Sequence, residues 1–522
     1  MWIKNTIDNF IYPENELFKE KLDVGIAIPG GGLRACTYTL GCLRGLQNIN
    51  ILQSVKYISS NSGSSWTIPL FYSDNINFNK IIGEYIEPNI LTIDKLDEIK
   101  DEYFTNELHN KNFWWAIIKN FIFGQNKNDF WTNTISSTFF KKYKLDGFNT
   151  LPCINSKKDW PDYKELNNSA PFNIINASCY FDKNNIVPIE FTPLYYGLPV
   201  EIKINNCLIG NNYFEPIAFG SKINKLCKSS DESFDIEIDK PKNVLSISET
   251  VSYSSNAVSQ FMVGYINSSQ YNLLNLPTIN YFDPETVNND YLYYNKSLKI
   301  CDGVYTDNTG IIALLRRNVK TIIFCAPHNS EPQNVSKNTD VNFFNLCGLF
   351  GISTSQNNYY FNQSIRYFNK IRKVFKPEDY KLFADQIYKC TQNNEPIVFK
   401  IDLEVIENKF CGVTGGYTVR LIYIGSYINN GWLNDIEKYG QKEIVDYIKE
   451  NNIYLNIPQE DITCVKYISN FFTSSNEFKY FPYIPITHLN YSKKLVNAMT
   501  SMGTYDVLKS QNNIKDWINE KE

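Results

Sequence analysis

The sequence predicts an α/β fold, a central mixed sheet flanked by helices with a cap or lid inserted into it. Residues 23–70 read as strand, glycine loop, helix, strand, sharp serine turn and helix. Strand-type runs return at Ser297–Cys301 and Thr321–Cys325, around a helical patch from Ile311 to Arg317. Residues 396–424 add further strands and 435–450 a helix. Strands and helices alternating in this way are the pattern of a sheet covered by helices.

Each element has a local cause. Residues 1–22 are a short polar lead-in. Asp23-Val24-Gly25-Ile26-Ala27-Ile28 is a short apolar run of strand type, and Pro29-Gly30-Gly31-Gly32-Leu33-Arg34-Ala35 opens a stretch of helix formers that lasts to Leu46. Val55-Lys56-Tyr57-Ile58 leads into Ser60-Asn61-Ser62-Gly63-Ser64-Ser65-Trp66, after which a helix is expected. Residues 75–150 read as mostly helical. Within them Phe113, Trp114, Ile117, Ile118, Phe121 and Ile122 share one helical face, with Lys119 and Asn120 opposite. Such a face packs on a core or serves as an interfacial lid. Phe172–Ala177 and Ile186–Phe191 are strand-like, while 225–243 is polar and reads as a surface loop.

The totals set bounds. A chain of 522 residues, 43% hydrophobic and 15% aromatic, has ample material for a core. It is read as one domain over 1–522, with an insertion contained in 75–290. A net charge of −4 gives no basic footprint, so no nucleic-acid partner is expected. The 12 cysteines are scattered without a C-x-x-C pair, which fits reduced thiols in a cytosolic setting. There is no apolar signal core at the N-terminus and no uninterrupted apolar stretch of about 18 residues, so no membrane span is expected.

The glycine loop and the serine turn carry chemistry together. A glycine loop that opens a helix aims backbone N–H groups at an anion. A serine on a tight strand-to-helix turn exposes its hydroxyl as a nucleophile. Acyl transfer needs both, plus a group to take the serine proton. The base comes from the histidines, of which there are 3 (His109, His328 and His488), or from a carboxylate acting directly. Asp302, at a strand end before Gly303, is placed for the second route.

As an ordered set these segments resemble the catalytic domain of cytosolic phospholipase A2, with fungal phospholipase B and the more distant patatins. The set comprises Gly30-Gly31-Gly32-Leu33-Arg34-Ala35 and Ser62-Gly63-Ser64-Ser65-Trp66. It continues through Ile189-Glu190-Phe191-Thr192-Pro193-Leu194-Tyr195-Tyr196-Gly197 and Phe214–Ser221. Asp302-Gly303 and Arg317-Asn318-Val319-Lys320-Thr321-Ile322-Ile323 follow, and Phe481–Tyr491 with Tyr505–Leu508 close it. Two positions depart from the family pattern: Ser60 stands where the elbow usually has glycine, and Pro29 replaces a small polar residue. Gly303-Val304 after Asp302 is nearer the patatin form.

The resemblance implies a Ser–Asp dyad, Ser62 as nucleophile and Asp302 as base. It implies an oxyanion hole from Gly31 and Gly32, and contacts from Arg34 and Arg317 to substrate phosphate. No metal and no organic cofactor are implied. The 240 residues from Ser62 to Asp302 exceed what a bare patatin core needs and favour a lidded build. The expected function is a calcium-independent phospholipase A2 or lysophospholipase, cytoplasmic and peripherally membrane-associated, without a C2 domain or obligate protein partner. Alternatives are an acyltransferase or neutral-lipid hydrolase on the same fold, a lipid-binding pseudoenzyme, and a Ser62–Asp302–His488 triad.

Overall fold

The strand Leu22–Ile28 buries side chains on both faces: Val24, Ile26 and Ile28 lie in one apolar cluster and Ala27 in the other. Thr321–Ala326 does the same, sending Ile323 and Cys325 one way and Ile322, Phe324 and Ala326 the other. A strand covered on both sides reads as a continuous apolar run, which is why these two were legible.

The computed structural model describes residues 2–3, 12–72, 81–109, 113, 116–117, 119–120, 130–143, 170–180, 186–204, 207–218, 223–228, 234–238, 245–256, 277–283, 294–328, 346–352, 372–451, 478–486 and 488–520. In chain order the strands are β1 (Trp2–Ile3), β2 (Leu22–Ile28), β3 (Val55–Asn61), β4 (Phe172–Tyr180), β5 (Ile186–Phe191), β6 (Tyr196–Ile204) and β7 (Cys207–Phe214). They continue as β8 (Ile223–Lys228), β9 (Phe234–Ile238), β10 (Thr278–Asp283), β11 (Tyr294–Cys301), β12 (Thr321–Ala326), β13 (Ile397–Val405) and β14 (Tyr417–Gly425).

All but β8 and β9 form one mixed sheet. Its main path runs β1-β7-β6-β5-β4-β3-β2-β12-β14-β13. The neighbours from β4 through β3, β2 and β12 to β14 are parallel, and the outer pairs are antiparallel. The hairpin of β10 and β11 joins through β11, which pairs antiparallel with the end of β4.

Helices cover both faces, as the fold class predicted. On one side lie Gly32–Asn48 and Lys493–Lys509, whose apolar residues share a cluster with Val24, Ile58 and Ile323. On the other lie Ile311–Leu315 and Asp379–Gln392, packed with Tyr57, Phe324 and Tyr423.

Several expectations change. The lead-in is not a loose tail: β1 pairs with β7, and the buried Glu14 sits on the short helix Glu14–Leu17. The expected loop at 225–243 contains the hairpin of β8 and β9, whose alternation at Phe234, Ile236 and Ile238 the surrounding charges obscured. The helix after Trp66 is a 3-10 helix, Ser62–Tyr72. Ser65 Oγ and Thr67 Oγ1 bond to carbonyls three residues back, and Pro69 lacks an N–H for the α ladder. The helix at 435–450 is two helices, Asn430–Lys438 and Lys442–Asn451, divided at Gly440 with φ 84°.

The span assigned to the cap contributes β4 to β7 and β10 to the sheet itself. Of the amphipathic helix in that span, Phe113 and Ile117 are buried in the core, with Phe113 beside Trp66, Trp131 and Phe139. Trp114, Ile118, Phe121 and Ile122 lie outside the described residues. Among the described residues no helix is long and apolar enough to cross a membrane.

Candidate active site

The site forms where parallel strands end, the usual place for ligands in an open α/β sheet. β2 and β3 run side by side to the pair Ile28↔Ser60, so Pro29–Gly32 and Ser62 leave the sheet at the same edge. β3 also pairs with β4 as far as Asn61↔Asn176. β11 arrives from the opposite direction along the same edge of β4, ending at Cys301↔Ser178. β3 and β11 therefore meet nearly end to end beside Ala177. The next residue of each strand is Ser62 in one case and Asp302 in the other.

Ser62 has φ 47°, a left-handed conformation that costs a non-glycine residue energy and persists where its surroundings enforce it. Its Oγ donates to Asp302 Oδ2 over 2.9 Å. Asp302 is fully buried, and its Oδ1 accepts from Val304 N at 2.9 Å as the cap of the turn Gly303–Tyr305. That second bond fixes the carboxylate plane while Oδ2 accepts from the serine.

The glycine loop lies against this pair. Gly31 (φ 144°) and Gly32 (φ 61°) adopt conformations that favour glycine, and Gly31 is the N-cap of the helix Gly32–Asn48 without a side-chain bond to it. The opening N–H groups of such a helix have no intrahelical acceptor. A Cβ on Gly63 would lie 2.6 Å from the Cα and carbonyl carbon of Gly32, and one on Gly30 would lie 2.8 Å from Ser62 Cβ. The two glycine positions let loop and serine turn touch.

The loop after Asp302 ties these pieces together. Gly30 N donates to Asn308 O at 3.0 Å, and Asn61 Nδ2 to Asp307 O. Asp307 accepts from Thr309 N and Thr309 Oγ1, and from Ile312 N at the start of Ile311–Leu315. The odd residue of the elbow, Ser60, is accommodated: it lies within β3, buried, with its Oγ donating to Ile174 O at 3.2 Å. Pro29 contributes its carbonyl, which accepts from Ser64 Oγ at 2.6 Å.

Arg34 lies in the first turn of Gly32–Asn48, 3% exposed, with Nη1 donating to Ile484 O at 2.6 Å. Burial lowers its pKa to about 10, so it remains cationic at neutral pH. Arg317 is not brought to this site. It lies on the opposite face of the sheet, beyond Ile311–Leu315, with its guanidinium over the Tyr12 ring at 4.3 Å. Nε donates to Glu14, Nη1 to Glu190 and Ala313 O, and Nη2 to Glu190 and Tyr195 Oη. Those bonds occupy every N–H of the fork, and Arg316 adds a 2.6 Å bond to Glu190. Burial opposes ionisation of Glu190, but the Arg317 and Arg316 charges outweigh it and hold the carboxyl below its ordinary range.

Two of the three histidines have contacts defined with groups other than Ser62. His328 is buried, with Nε2 2.6 Å from Tyr423 Oη, and burial together with the Arg34 charge brings its pKa down to about 3. The His488 ring lies 5.8 Å from that of Tyr491, tilted by 41°, and its backbone N–H donates to Pro485 O. Asp302 meets Ser62 directly, without a ring between them. Among the described residues no group of three or more His, Cys, Asp or Glu side chains gathers as a metal site.

A family model described as the lysophospholipase catalytic domain matches residues 24–224, the stretch that carries the glycine loop and Ser62. Mouse cytosolic phospholipase A2 zeta is 31% identical over 119 residues, which cover 20% of this chain and 14% of that protein. Human cytosolic phospholipase A2 delta is 47% identical over 51 residues, covering 10% of this chain and 6% of its own. The chain thus aligns with only a small part of these relatives' length. Among solved structures, human GIVD cytosolic phospholipase A2 aligns over 97% of this chain and 64% of its own, at 13% identity and a TM-score of 0.48.

Sequence reasoning missed the supports of this site. Asn61, Asn176 and Asn308 were hidden by the abundance of Asn, and Asp307 was passed over although it lies close behind Asp302. Ser254, which accepts from Ser62 N at 2.9 Å, had no signal in the sequence.

Proposed function

We propose that this chain hydrolyses fatty-acyl esters of glycerophospholipids, as a phospholipase A2 or lysophospholipase, at a membrane surface. The observation that carries the reading is the 2.9 Å hydrogen bond from Ser62 Oγ to Asp302 Oδ2, made by a serine held at φ 47°. Ser62 Oγ attacks the ester carbonyl as its proton passes to Asp302. Negative charge collects on the carbonyl oxygen, where N–H groups of Gly31 and Gly32 receive it; one such donor is worth roughly 3–4 kcal/mol of barrier. Collapse of the tetrahedral species breaks the ester C–O bond. Asp302 returns the proton to the departing lysophospholipid oxygen, leaving an acyl group on Ser62. Water then attacks the acyl-enzyme, with Asp302 again taking and returning the proton, and releases the fatty acid.

Arg34 supplies the phosphate contact in this reading. It stands one helical turn from the oxyanion donors, and the substrate phosphate would replace the Ile484 carbonyl as the acceptor of Nη1. Ile486, 42% exposed, belongs to the same segment, and its carbonyl lies 3.5 Å from where a Gly32 Cβ would be. An apolar side chain beside the glycine loop suits contact with a lipid surface. The chemistry above uses no metal, so activity should be calcium-independent, and a cytoplasmic, peripherally membrane-associated enzyme is the setting it fits.

The test is fatty-acid release from phosphatidylcholine and lysophosphatidylcholine vesicles with a chelator present. Release from both or either supports the proposal. Transfer to an added alcohol in place of release, or action on neutral esters alone, would redirect it to an acyltransferase or neutral-lipid hydrolase. No release from any ester would leave a lipid-binding pseudoenzyme.

A further inference from the structure

We infer that Ser254 is a positioning residue for the nucleophile, an inference that rests on the dyad reading above. Ser254 ends the helix Ile247–Ser254 and is fully buried. Its Oγ donates to Asn176 O at 2.6 Å and accepts from Ser62 N at 2.9 Å. A hydroxyl has one proton, so the short bond to a carbonyl fixes its direction and turns a lone pair towards Ser62.

The register explains why a hydroxyl is needed at this point. Asn61 and Asn176 are the last residues paired between β3 and β4. At Ser62 the chain turns out of the sheet, so its N–H leaves the ladder. Ser254 Oγ stands between that N–H and the Asn176 carbonyl, as a bridging water would, and extends the ladder by one relayed bond. The positive φ of Ser62 is thereby held from the amide side, while Asp302 holds the hydroxyl. A half-buried N–H without such an acceptor would be free to relax towards an ordinary conformation and carry Oγ away from Asp302.

The neighbouring contacts are those of a clamp. Trp66 Nε1 donates to Ser255 Oγ at 3.0 Å, and Trp131 Nε1 approaches the same oxygen at 3.3 Å. Ser65 Oγ reaches both Ser62 O and Val251 O. At its other end the helix is fixed by a capping box of Ser246 and Glu249. A segment between β9 and β10 thus supports the nucleophile as well as covering the sheet.

The test compares full-length wild type, Ser254→Ala and Ser254→Gly, using an alkyl fluorophosphonate and a soluble ester. Displacing a nucleophile by about 1 Å costs on the order of 10²-fold in rate. Ser254→Ala should slow both kcat and labelling of Ser62 by roughly 10- to 100-fold with KM little changed. Ser254→Gly opens room for a water to take the hydroxyl's place and should recover part of that loss. A Ser254→Ala enzyme within twofold of wild type would overturn the inference, as would a Gly variant no better than Ala. Hydrogen exchange of the peptide around Ser62 gives a readout independent of catalysis: the amide should be protected in wild type and exposed in Ser254→Ala, and equal protection would overturn the inference. A wild type that neither labels nor turns over would sink the dyad reading, while the exchange measurement still decides the role of Ser254.

Discussion

Ser62 and Asp302 come within hydrogen-bond distance because β3 and β11 end against the same edge of β4, one beside Asn176 and the other beside Ser178. A separation of 240 residues is closed by strand register, with no loop having to reach across. The carboxylate is also held by Val304 N, so an asparagine at 302 can keep that cap through its carbonyl oxygen. Ser62→Ala and Asp302→Asn should each lower ester hydrolysis by at least about 10³-fold while leaving the folded state intact. Circular dichroism checks the fold and fatty-acid release the activity. Activity kept in Asp302→Asn but lost in His488→Ala would exclude the dyad.

Arg34 offers a second separation. Its side chain both holds the Ile484 carbonyl and is assigned the substrate phosphate, and the two roles differ in what they do to a neutral ester. Arg34→Met should reduce hydrolysis of phospholipid by roughly 10- to 100-fold, the worth of a charge-assisted hydrogen bond. Hydrolysis of a short neutral ester should change far less. Equal losses on both substrates would leave Arg34 as an anchor for the segment around Ile484.

The cluster of Glu14, Glu190, Arg316 and Arg317 is a matter of stability. The side chains of Glu190 and Arg317 are fully buried and that of Arg316 is 3% exposed. Removing one charge strands the others away from water. Glu190→Gln should destabilise the protein by about 3–5 kcal/mol. Denaturant unfolding measures the loss, and kcat per folded molecule should be close to wild type, since the cluster and the glycine loop lie on opposite faces of the sheet. Replacing the whole group by apolar residues, Glu14→Leu and Glu190→Leu with Arg316→Met and Arg317→Met, should recover part of it.

How much of this was legible follows from how locally each feature is encoded. β2 and β12 could be read because burial on both faces leaves a near-continuous apolar run. The glycine loop and Ser62 could be read because backbone geometry demands particular residues there. Arg317 was misleading: in sequence it neighbours a site-forming segment, but one short helix, Ile311–Leu315, carries it to the far side of the sheet. Glu14 looked like part of a polar lead-in for the complementary reason, since the buried charge that pairs with it is 303 residues away. Ser254 could not be found at all, because a hydroxyl that relays a bond between two strands has no spacing rule.

Asp506 links stability to pH. It is buried in the helix Lys493–Lys509, accepting from Tyr38 Oη at 3.0 Å and from Asn429 Nδ2 at 3.3 Å. Burial, only partly offset by these bonds, raises its pKa well above the ordinary value of 3.8. The folded state therefore binds this proton more tightly than the unfolded chain. Its contribution is complete below about pH 4 and declines by about 1.4 kcal/mol per pH unit as the pH rises towards the folded-state value. Asp506→Asn mimics the protonated acid, so it should raise the melting temperature by several degrees at pH 8 and by little at pH 4. A gain of the same size at both pH values would show that ionisation of Asp506 is not the cause.

Gly63 gives the sharpest steric test of the site. A Cβ at this position would lie 2.6 Å from the Cα and carbonyl carbon of Gly32, closer than carbon atoms approach without displacement, and would meet the carbonyl oxygen as well. What it meets is main chain, which cannot swing aside like the end of a side chain. The residue that must yield is also an oxyanion donor in the proposed mechanism. Gly63→Ala should therefore push Gly32 away from the developing charge and cut kcat by roughly 10²-fold or more, the cost of one lost donor. KM should change little, because neither glycine is assigned the phosphate or the acyl chain. Thermal unfolding should move by only a few degrees, as the strain is confined to a loop at the sheet edge. A Gly63→Ala enzyme with wild-type kcat would mean that Gly32 does not stabilise the transition state.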